Sequence, residues 1–304
     1  MSKAAALWTE IEKRFQTRFP IISAKLPAYI ELTRFDRPIG ILLLLWPTIG
    51  ALWIASEGFP DLDLLIIFLL GTTVMRAGGC AINDFADYQI DGHVQRTKGR
   101  PLARGALTRQ EALGCFVFFS LLGFGLVLLT NSMTIQLAFA AVGVVAVYPF
   151  MKRFTSLPQL VLGIAFSMGI LMAFSAQNAT VPMAAFLLVL ANVLWTMVFD
   201  TEYAMVDREY DKKIGVKSTA ILFGEADRLI IGVLQILFVA VMWLAGWRLG
   251  LGIAFFGTLL VAAGLLVWQQ VLIRDRSPDN CFRAFLNNNR VGAVIFLGIF
   301  INYL

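Results

Sequence analysis

Nine long apolar runs constrain this chain more than any other feature of its sequence. An α-helix needs roughly 20 apolar residues to cross about 30 Å of hydrocarbon, and most of the runs are close to that length. The runs lie at about 39–55, 63–81, 111–130, 134–149, 157–175, 181–199, 228–247, 250–273 and 291–304. Because a backbone inside lipid must satisfy its own hydrogen bonds, helices are the expected structure. The sequence therefore predicts an all-α integral membrane protein with about nine transmembrane helices.

The composition supports this prediction and limits the number of domains. Of the 304 residues, 59% are hydrophobic and 15% are charged, whereas soluble domains have about 25% charged residues. A soluble globular enzyme and a disordered chain are both excluded. Nine spans leave no room for a second soluble domain, so we predict a single transmembrane domain over 34–304. Residues 1–33 mix basic, aromatic and apolar side chains, which is typical of an interfacial helix on the membrane surface.

The distribution of Lys and Arg predicts the orientation in the membrane. Alternate connections are basic, namely the N-terminal segment, 82–110, 150–156, 200–227 and 274–290. By the positive-inside rule these face the cytoplasm, so the chain is a multi-pass protein with a cytoplasmic N-terminus. This topology also explains the net charge of +5. We therefore expect membrane lipid as a partner, and we expect neither nucleic acid nor an obligatory protein partner.

Two of these cytoplasmic connections begin with clusters of acidic residues. The first cluster contains Asn83, Asp87 and Asp91 at positions i, i+4 and i+8, with Asp84 beside them. The second has Asp200, Asp207 and Asp211 at i, i+7 and i+11. On helices, each set of side chains would share one face.

Such clusters need positive charge nearby, because adjacent carboxylates repel each other and resist ionisation. Carboxylates without His or Cys select a hard cation such as Mg²⁺, which binds one or two protein carboxylates together with substrate phosphates. Acidic residues at a membrane boundary are candidates for function. We therefore predict a Mg²⁺ site that uses Asp84, Asp87, Asp91, Asp207 and Asp211.

Several further residues have the chemistry to bind a diphosphate or another anion near these clusters. Arg forks two phosphate oxygens and Lys acts as a point charge. Arg76 lies within an apolar run, and Tyr148 and Lys152 form a Tyr-x-x-x-Lys pair. The substrate-binding candidates are Arg34, Arg37, Arg76, Asn83, Tyr148, Lys152 and Arg153.

These motifs resemble those of the UbiA superfamily of intramembrane prenyltransferases. The matching strings are Asn-Asp-x-x-Asp-x-x-x-Asp at 83–91, Tyr-x-x-x-Lys at 148–152 and Asp-x-x-x-Asp at 207–211. Longer strings, such as those at 34–40, 200–208 and 217–224, are similar to the bacterial members of the superfamily that act on 4-hydroxybenzoate. The resemblance covers the chain from about residue 30 onward.

The resemblance implies a fold, a reaction and roles for the residues. The fold would place nine helices around a central cavity that opens sideways to lipid, under a cytoplasmic cap of two polar loops. The reaction would transfer a polyprenyl chain from polyprenyl diphosphate to the carbon ortho to the hydroxyl of 4-hydroxybenzoate, in ubiquinone biosynthesis at the bacterial inner membrane.

Within that reaction we expect Asp87, Asp91, Asp207 and Asp211 to be catalytic through Mg²⁺. Arg76 and Lys152 would hold phosphate oxygens, while Asp207 would polarise or deprotonate the phenol. Arg153 would bind the benzoate carboxylate.

Two alternatives remain open on the sequence. An ion-coupled transporter would also contain acidic residues in membrane helices, but it would place them near the midplane of the bilayer, and here they lie at the cytoplasmic ends of the runs. A prenyltransferase for another acceptor would share both acidic clusters, so only the longer strings favour 4-hydroxybenzoate.

Overall fold

The computed structural model describes residues 20–92 and 96–304, and this part of the chain is helical with no strand. We number its α-helices in chain order. They are α1 Pro20–Thr33, α2 Ile39–Ala55, α3 Leu62–Asp91, α4 Arg109–Val127, α5 Ser132–Val147, α6 Met151–Phe154, α7 Pro158–Asn178, α8 Met183–Ile214, α9 Thr219–Phe223, α10 Asp227–Arg248, α11 Ile253–Leu272 and α12 Pro278–Asn302. Short 3₁₀ turns join α5 to α6, α9 to α10, and α11 to α12.

Each of the nine apolar runs lies in a helix, so the prediction of an all-α membrane protein is confirmed. Eight helical segments in the described part of the chain are long and apolar enough to cross a membrane. The remaining apolar run, 39–55, forms α2, which is shorter at 17 residues. The count of nine therefore depends on α2.

Two helices are longer than their apolar runs, which corrects the expected extent of the polar loops. With 30 residues in α3 and 32 in α8, these helices are about 45 and 48 Å long at 1.5 Å per residue. The acidic clusters therefore lie on helices, not in loops, and the connections shrink to 92–108 and 215–218. Helical hydrogen bonding does not depend on apolar side chains, so the helices continue past the hydrophobic boundary. We refer to the end of the bundle with both clusters as the polar end.

The interfacial segment predicted over 1–33 falls only partly within the described residues. Helix α1 covers its last 14 residues, and residues 1–19 lie outside the description. One face of α1 packs on the bundle, because Ala28 and Leu32 are buried in a cluster with Ala81 and Leu102. At the polar end, Lys25 Nζ binds a carboxylate oxygen of Glu111 in α4 at 2.6 Å.

The main core lies between α2, α3, α7, α8, α10, α11 and α12, and three consecutive asparagines of α12 connect it by hydrogen bonds. Successive residues of a helix point about 100° apart, so the three side chains reach different neighbours. Asn287 accepts from Gln269 of α11 at 3.1 Å, and Asn289 accepts from the Trp46 indole of α2 at 2.8 Å. Helix α12 is thereby fixed against several helices at once.

The central asparagine of this set, Asn288, is fully buried. Its oxygen accepts from the Trp195 indole at 2.8 Å, and its nitrogen donates to Glu202 at 2.9 Å; both partners lie on α8. One turn later, a Cβ on Gly292 would lie 2.6 Å from a Trp46 ring carbon and 2.9 Å from a Trp195 ring carbon. Only glycine leaves room there for the two indoles.

Replacement of Asn288 by Ala should therefore destabilise the bundle. It would leave the Trp195 N–H and the Glu202 carboxyl buried without this partner, at a cost of roughly 1–3 kcal/mol for an unsatisfied group. We expect a lower midpoint of unfolding when the purified protein is titrated with a denaturing detergent. Asn280→Ala is the control, because Asn280 is only half-buried and its hydrogen bond to Asp275 is exposed. Equal midpoints for the two variants would contradict this role of Asn288.

Candidate active site

A cavity of about 950 Å³ occupies one side of the bundle and contains the acidic faces of α3 and α8. Its walls come from α2, α3, α4, α5, α7 and α8. From the charged residues at the polar end it extends past Phe166 and Ala138 to Thr130, which follows α4 at the opposite end. A charged mouth and a long, mostly apolar interior suit a molecule with an ionic head and an apolar tail.

The acidic face of α3 projects into the mouth of this cavity and is neutralised by residues from other segments. Asp84 binds Arg34 at 3.0 Å and Arg100 at 3.1 Å, and Arg100 also binds Asp91 at 2.9 Å. These two carboxylates are almost fully buried, at 1% and 4% exposure. The guanidinium of Arg100 thus connects two carboxylates that would otherwise repel each other.

The third carboxylate of this face, Asp87, has a different cation. Lys152 Nζ lies 2.6 Å from a carboxylate oxygen of Asp87, and the Asn83 amide donates to the same oxygen at 3.2 Å. Because Lys152 comes from α6, the Tyr-x-x-x-Lys pair is connected directly to the acidic face of α3.

Across the cavity mouth, Asp207 of α8 is paired with Arg96. The Arg96 guanidinium also bonds to the Tyr203 hydroxyl and lies 4.6 Å from the centre of that ring. Asp200 and Asp211 line the same cavity. Asp200, Asp207 and Asp211 therefore share one face of α8, as the sequence predicts.

The connection between α3 and α4 supplies two of these cations, and both guanidinium groups are held in the charged form. Burial opposes the charge of Arg100, but the carboxylates of Asp84 and Asp91 outweigh it and raise the pKa of Arg100. For Arg96, burial likewise lowers the pKa, but the Tyr203 hydroxyl and the Asp207 carboxylate raise it overall. Two arginines of the α3–α4 connection thus bring positive charge to the mouth of the cavity.

The donor atoms fit Mg²⁺ when substrate oxygens complete the coordination. In the described ranges, no group of three or more His, Cys, Asp or Glu side chains is arranged to hold a metal ion by itself. Mg²⁺ does not need such a cage, because it binds one or two carboxylates plus substrate phosphates. The carboxylates of Asp87, Asp91, Asp207 and Asp211 would hold it, and the present partners of Asp87, Asp91 and Asp207 are cations suited to the phosphates.

Arg76 lies deeper than the carboxylates. It precedes Asp84 by eight residues on α3, which corresponds to about 12 Å of helix rise. Its Nε atom is buried without a hydrogen-bond partner, and its guanidinium carbon lies 6.0 Å from the centre of the Phe166 ring. Within residues 20–92 and 96–304 it makes no ion pair. A guanidinium in this state is suited to a second anionic group, away from the diphosphate.

The structure brings eleven of the twelve residues proposed from the sequence to this cavity. They are Arg34, Arg37, Arg76, Asn83, Asp84, Asp87, Asp91, Tyr148, Lys152, Asp207 and Asp211. Arg153 is not among the lining residues. Its side chain is exposed, donates to the Ala86 carbonyl at 2.6 Å, and lies over the Phe150 ring.

Comparison with known proteins identifies the family. Residues 44–297 match the UbiA prenyltransferase family. The chain belongs to the UbiA prenyltransferase family. It is 58% identical over 275 residues to the 4-hydroxybenzoate octaprenyltransferase of Pseudomonas aeruginosa, which covers 90% of this chain and 93% of that protein. It is 56% identical over 280 residues to the protein of the same name from Klebsiella pneumoniae, covering 92% and 97%.

Solved structures of UbiA homologues have the same fold. The apo structure of a homologue from Aeropyrum pernix superimposes with a TM-score of 0.77 at 26% identity, covering 87% of this chain and 98% of that one. A homologue from Archaeoglobus fulgidus, bound to GPP and Mg²⁺, gives a TM-score of 0.67 at 20% identity and covers 91% and 99% of the two chains. The expected multi-pass membrane fold of the UbiA family is confirmed.

Sequence reasoning missed two residues of this UbiA site. In the sequence, Arg96 and Arg100 indicate only the membrane topology, because nothing in their spacing shows which carboxylates they contact. Arg100 is nine residues from Asp91, and Arg96 is 111 residues from Asp207. Only the path of the chain after α3 brings them to the cavity mouth.

Removal of Arg96 should make the site bind Mg²⁺ more readily in the absence of substrate. Arg96 is hydrogen-bonded to the Asp207 carboxylate, so a metal ion must displace it to bind there. A hydrogen bond to a charged group is worth about 1.5–3 kcal/mol. We expect Arg96→Ala to lower the Mg²⁺ concentration for half-maximal thermal stabilisation by at least about tenfold. Arg104→Ala is the control, since Arg104 pairs with Glu31 outside both clusters. An unchanged Mg²⁺ midpoint in Arg96→Ala would show that the pair does not compete with the metal.

Proposed function

We propose that this protein transfers a polyprenyl group from polyprenyl diphosphate to the ring carbon ortho to the hydroxyl of 4-hydroxybenzoate, in a Mg²⁺-dependent reaction. The observation that carries this proposal is the pair of acidic faces, on α3 and α8, that meet at the mouth of one long apolar cavity. The choice of 4-hydroxybenzoate is supported by relatives at 53–58% identity that are named 4-hydroxybenzoate octaprenyltransferases. An eight-unit donor is therefore the first to test.

The diphosphate would bind at the cavity mouth between the two acidic faces. Bound Mg²⁺ would neutralise negative charge on the leaving diphosphate. Asp87 and Asp91 would hold the metal from α3, and Asp207 and Asp211 would hold it from α8. The positive side chains that now pair with these carboxylates, above all Lys152, would then contact phosphate oxygens.

The prenyl chain would extend from the mouth into the apolar interior, between α3, α5 and α7. Departure of the diphosphate leaves an allylic cation that water would capture as an alcohol. The apolar walls, which include Met75, Val145 and Phe166, exclude water from the reacting carbon. The electron-rich ring of the acceptor is then the nucleophile that remains.

The acceptor would lie below the diphosphate, with its carboxylate on Arg76. This assignment follows from the depth of Arg76 and from its lack of an ion pair in the described ranges. It exchanges the roles expected from the sequence, where Arg76 was assigned to the diphosphate and Arg153 to the benzoate. The position of Arg153 outside the cavity supports the exchange.

We further propose that the polar end faces the cytoplasm of a bacterial cell, with the protein in the inner membrane. The basic connections lie at this end, and the positive-inside rule places them on the cytoplasmic side. The opposite connections near 56–62, 131–133 and 176–180 contain no Lys or Arg, and Arg248 is the single cation at the connection that follows α10 on that side. Accessibility of single cysteines to a membrane-impermeant reagent, placed in 98–104 or in 56–61, tests this orientation.

Loss of a metal-holding carboxylate should abolish turnover. Asp87→Asn and Asp207→Asn keep side-chain volume but remove the charge that offsets the metal, so we expect turnover to fall by at least about 10²-fold. The assay mixes membranes, Mg²⁺, 4-hydroxybenzoate and octaprenyl diphosphate, and measures the mass and amount of product. Asp63→Asn, at the other end of α3, is the control. Failure of the wild type to form prenylated benzoate from any prenyl donor would refute the proposed function.

The two arginines give a separate test of acceptor binding. A charge-assisted hydrogen bond of about 1.5–3 kcal/mol corresponds to roughly 10- to 150-fold in binding. We therefore expect Arg76→Ala to raise the KM for 4-hydroxybenzoate by that factor, with a smaller effect on the KM for the donor. Arg153→Ala should leave both constants within about twofold of the wild type, since its partner is a backbone carbonyl. The opposite pattern would indicate that Arg153, and not Arg76, binds the carboxylate of the acceptor.

A further inference from the structure

Asp200 is the one cavity-lining carboxylate of α8 that the proposed metal site does not use. It precedes Asp207 by seven residues on the same helical face, which places it about 10 Å deeper in the cavity. Asp84, Asp87, Asp91 and Asp207 each pair with an arginine or lysine. Asp200 makes no ion pair within the described ranges, so its carboxylate remains available to a substrate.

The side chain of Gln159 lines the same cavity as Asp200 and is held by α9. The backbone N–H of Thr219 donates to the side-chain oxygen of Gln159 at 3.2 Å, so the amide nitrogen of Gln159 points the other way. Gln159 is buried, and both Gln159 and Asp200 line the cavity. The amide nitrogen of Gln159 is therefore the donor that would orient the Asp200 carboxylate.

The charged groups around Asp200 define what this part of the cavity can bind. Lys152, Arg76 and Tyr148 line the same cavity as Asp200. Lys152 is engaged with Asp87, whereas Arg76 is not engaged by an acid among the residues described. A cation and a carboxylate thus line one cavity below the metal-binding level. They are suited to a molecule that has an anionic group for Arg76 and a proton that it can donate to Asp200.

On the proposed function, this level is where the acceptor ring meets the allylic carbon. The diphosphate would be held at the cavity mouth, and the first prenyl carbon would lie directly below it. A carboxylate that holds a metal ion has its electron pairs engaged, so Asp207 and Asp211 are poorly suited to accept a proton. Asp200 is not engaged in this way.

We propose that Asp200 is the catalytic residue that accepts the ring proton during prenyl transfer, and that Gln159 is its positioning residue. The bond between the allylic carbon and the diphosphate oxygen breaks, and its electron pair leaves with the diphosphate. The ring carbon ortho to the hydroxyl forms the new carbon–carbon bond. Its proton then passes to a carboxylate oxygen of Asp200, and the electrons of the broken C–H bond restore the aromatic ring. This proposal rests on the proposed function above.

The test compares Asp200→Asn with Asp207→Asn, using 4-hydroxybenzoate with hydrogen or deuterium at the two ring carbons ortho to the hydroxyl. A general base typically contributes 10²- to 10⁴-fold, so kcat of Asp200→Asn should fall by about that factor. Proton removal then becomes slow, and a primary deuterium isotope effect on kcat should appear that is larger than in the wild type. Mg²⁺-dependent binding of the prenyl diphosphate should stay within about twofold of wild type. Asp207→Asn should instead lose donor binding and show no larger isotope effect.

Two further variants separate catalysis from misfolding. Asp200→Glu retains a carboxylate and should recover part of the kcat lost in Asp200→Asn. Gln159→Leu leaves Asp200 in place but unoriented, so it should lower kcat and enlarge the isotope effect while donor binding is retained.

Specific outcomes would overturn the assignment. Wild-type kcat in Asp200→Asn would do so, as would a lowered kcat without a larger isotope effect in both Asp200→Asn and Gln159→Leu. A loss of donor binding equal to that of Asp207→Asn would place Asp200 in the metal site instead. Failure of the wild type to form product would refute the proposed function and this inference together, whereas the outcomes above refute only the role of Asp200.

Discussion

The need to neutralise buried carboxylates at the edge of a membrane determines how this protein is arranged. Charge in a low-dielectric environment is costly unless it is paired. The three clustered aspartates of α3, Asp84, Asp87 and Asp91, are almost fully buried, and their partners come from the segment after α1, from the connection between α3 and α4, and from α6. The same ion pairs therefore hold the polar end together and prepare the site for an anionic substrate with its metal.

The bundle separates this reactive side from a side that is specialised for packing. Around α12, three asparagines, two indoles and a buried glutamate form hydrogen bonds that connect four helices. Helix α8 belongs to both sides, since it carries Trp195 and Glu202 toward α12 and Asp200 and Asp207 toward the cavity. Rigid packing on one face of α8 fixes the height of the carboxylates on the other.

Much of the site could be predicted from the sequence, because its acidic residues are spaced according to the α-helical repeat. Residues at i, i+4 and i+8 share a face in any helix, so Asn83, Asp87 and Asp91 were expected together, and they are. The tertiary partners carry no such signal. Arg208 follows Asp207 directly, yet it is buried away from the cavity and binds Asp227. Arg153 follows Lys152 directly, yet only Lys152 reaches the acidic face.

The sequence by itself determined the membrane class, the helices and the two acidic faces, because these follow from local hydropathy and from the 3.6-residue repeat. It did not determine how far α3 and α8 extend, since hydrogen bonding continues a helix beyond its apolar residues. Only the tertiary structure decided which cation meets which carboxylate, that Arg76 is left without an acid among the described residues, and that Gln159 and Asp200 line one cavity. Those contacts join residues far apart in the chain, and their geometry depends on how the helices pack.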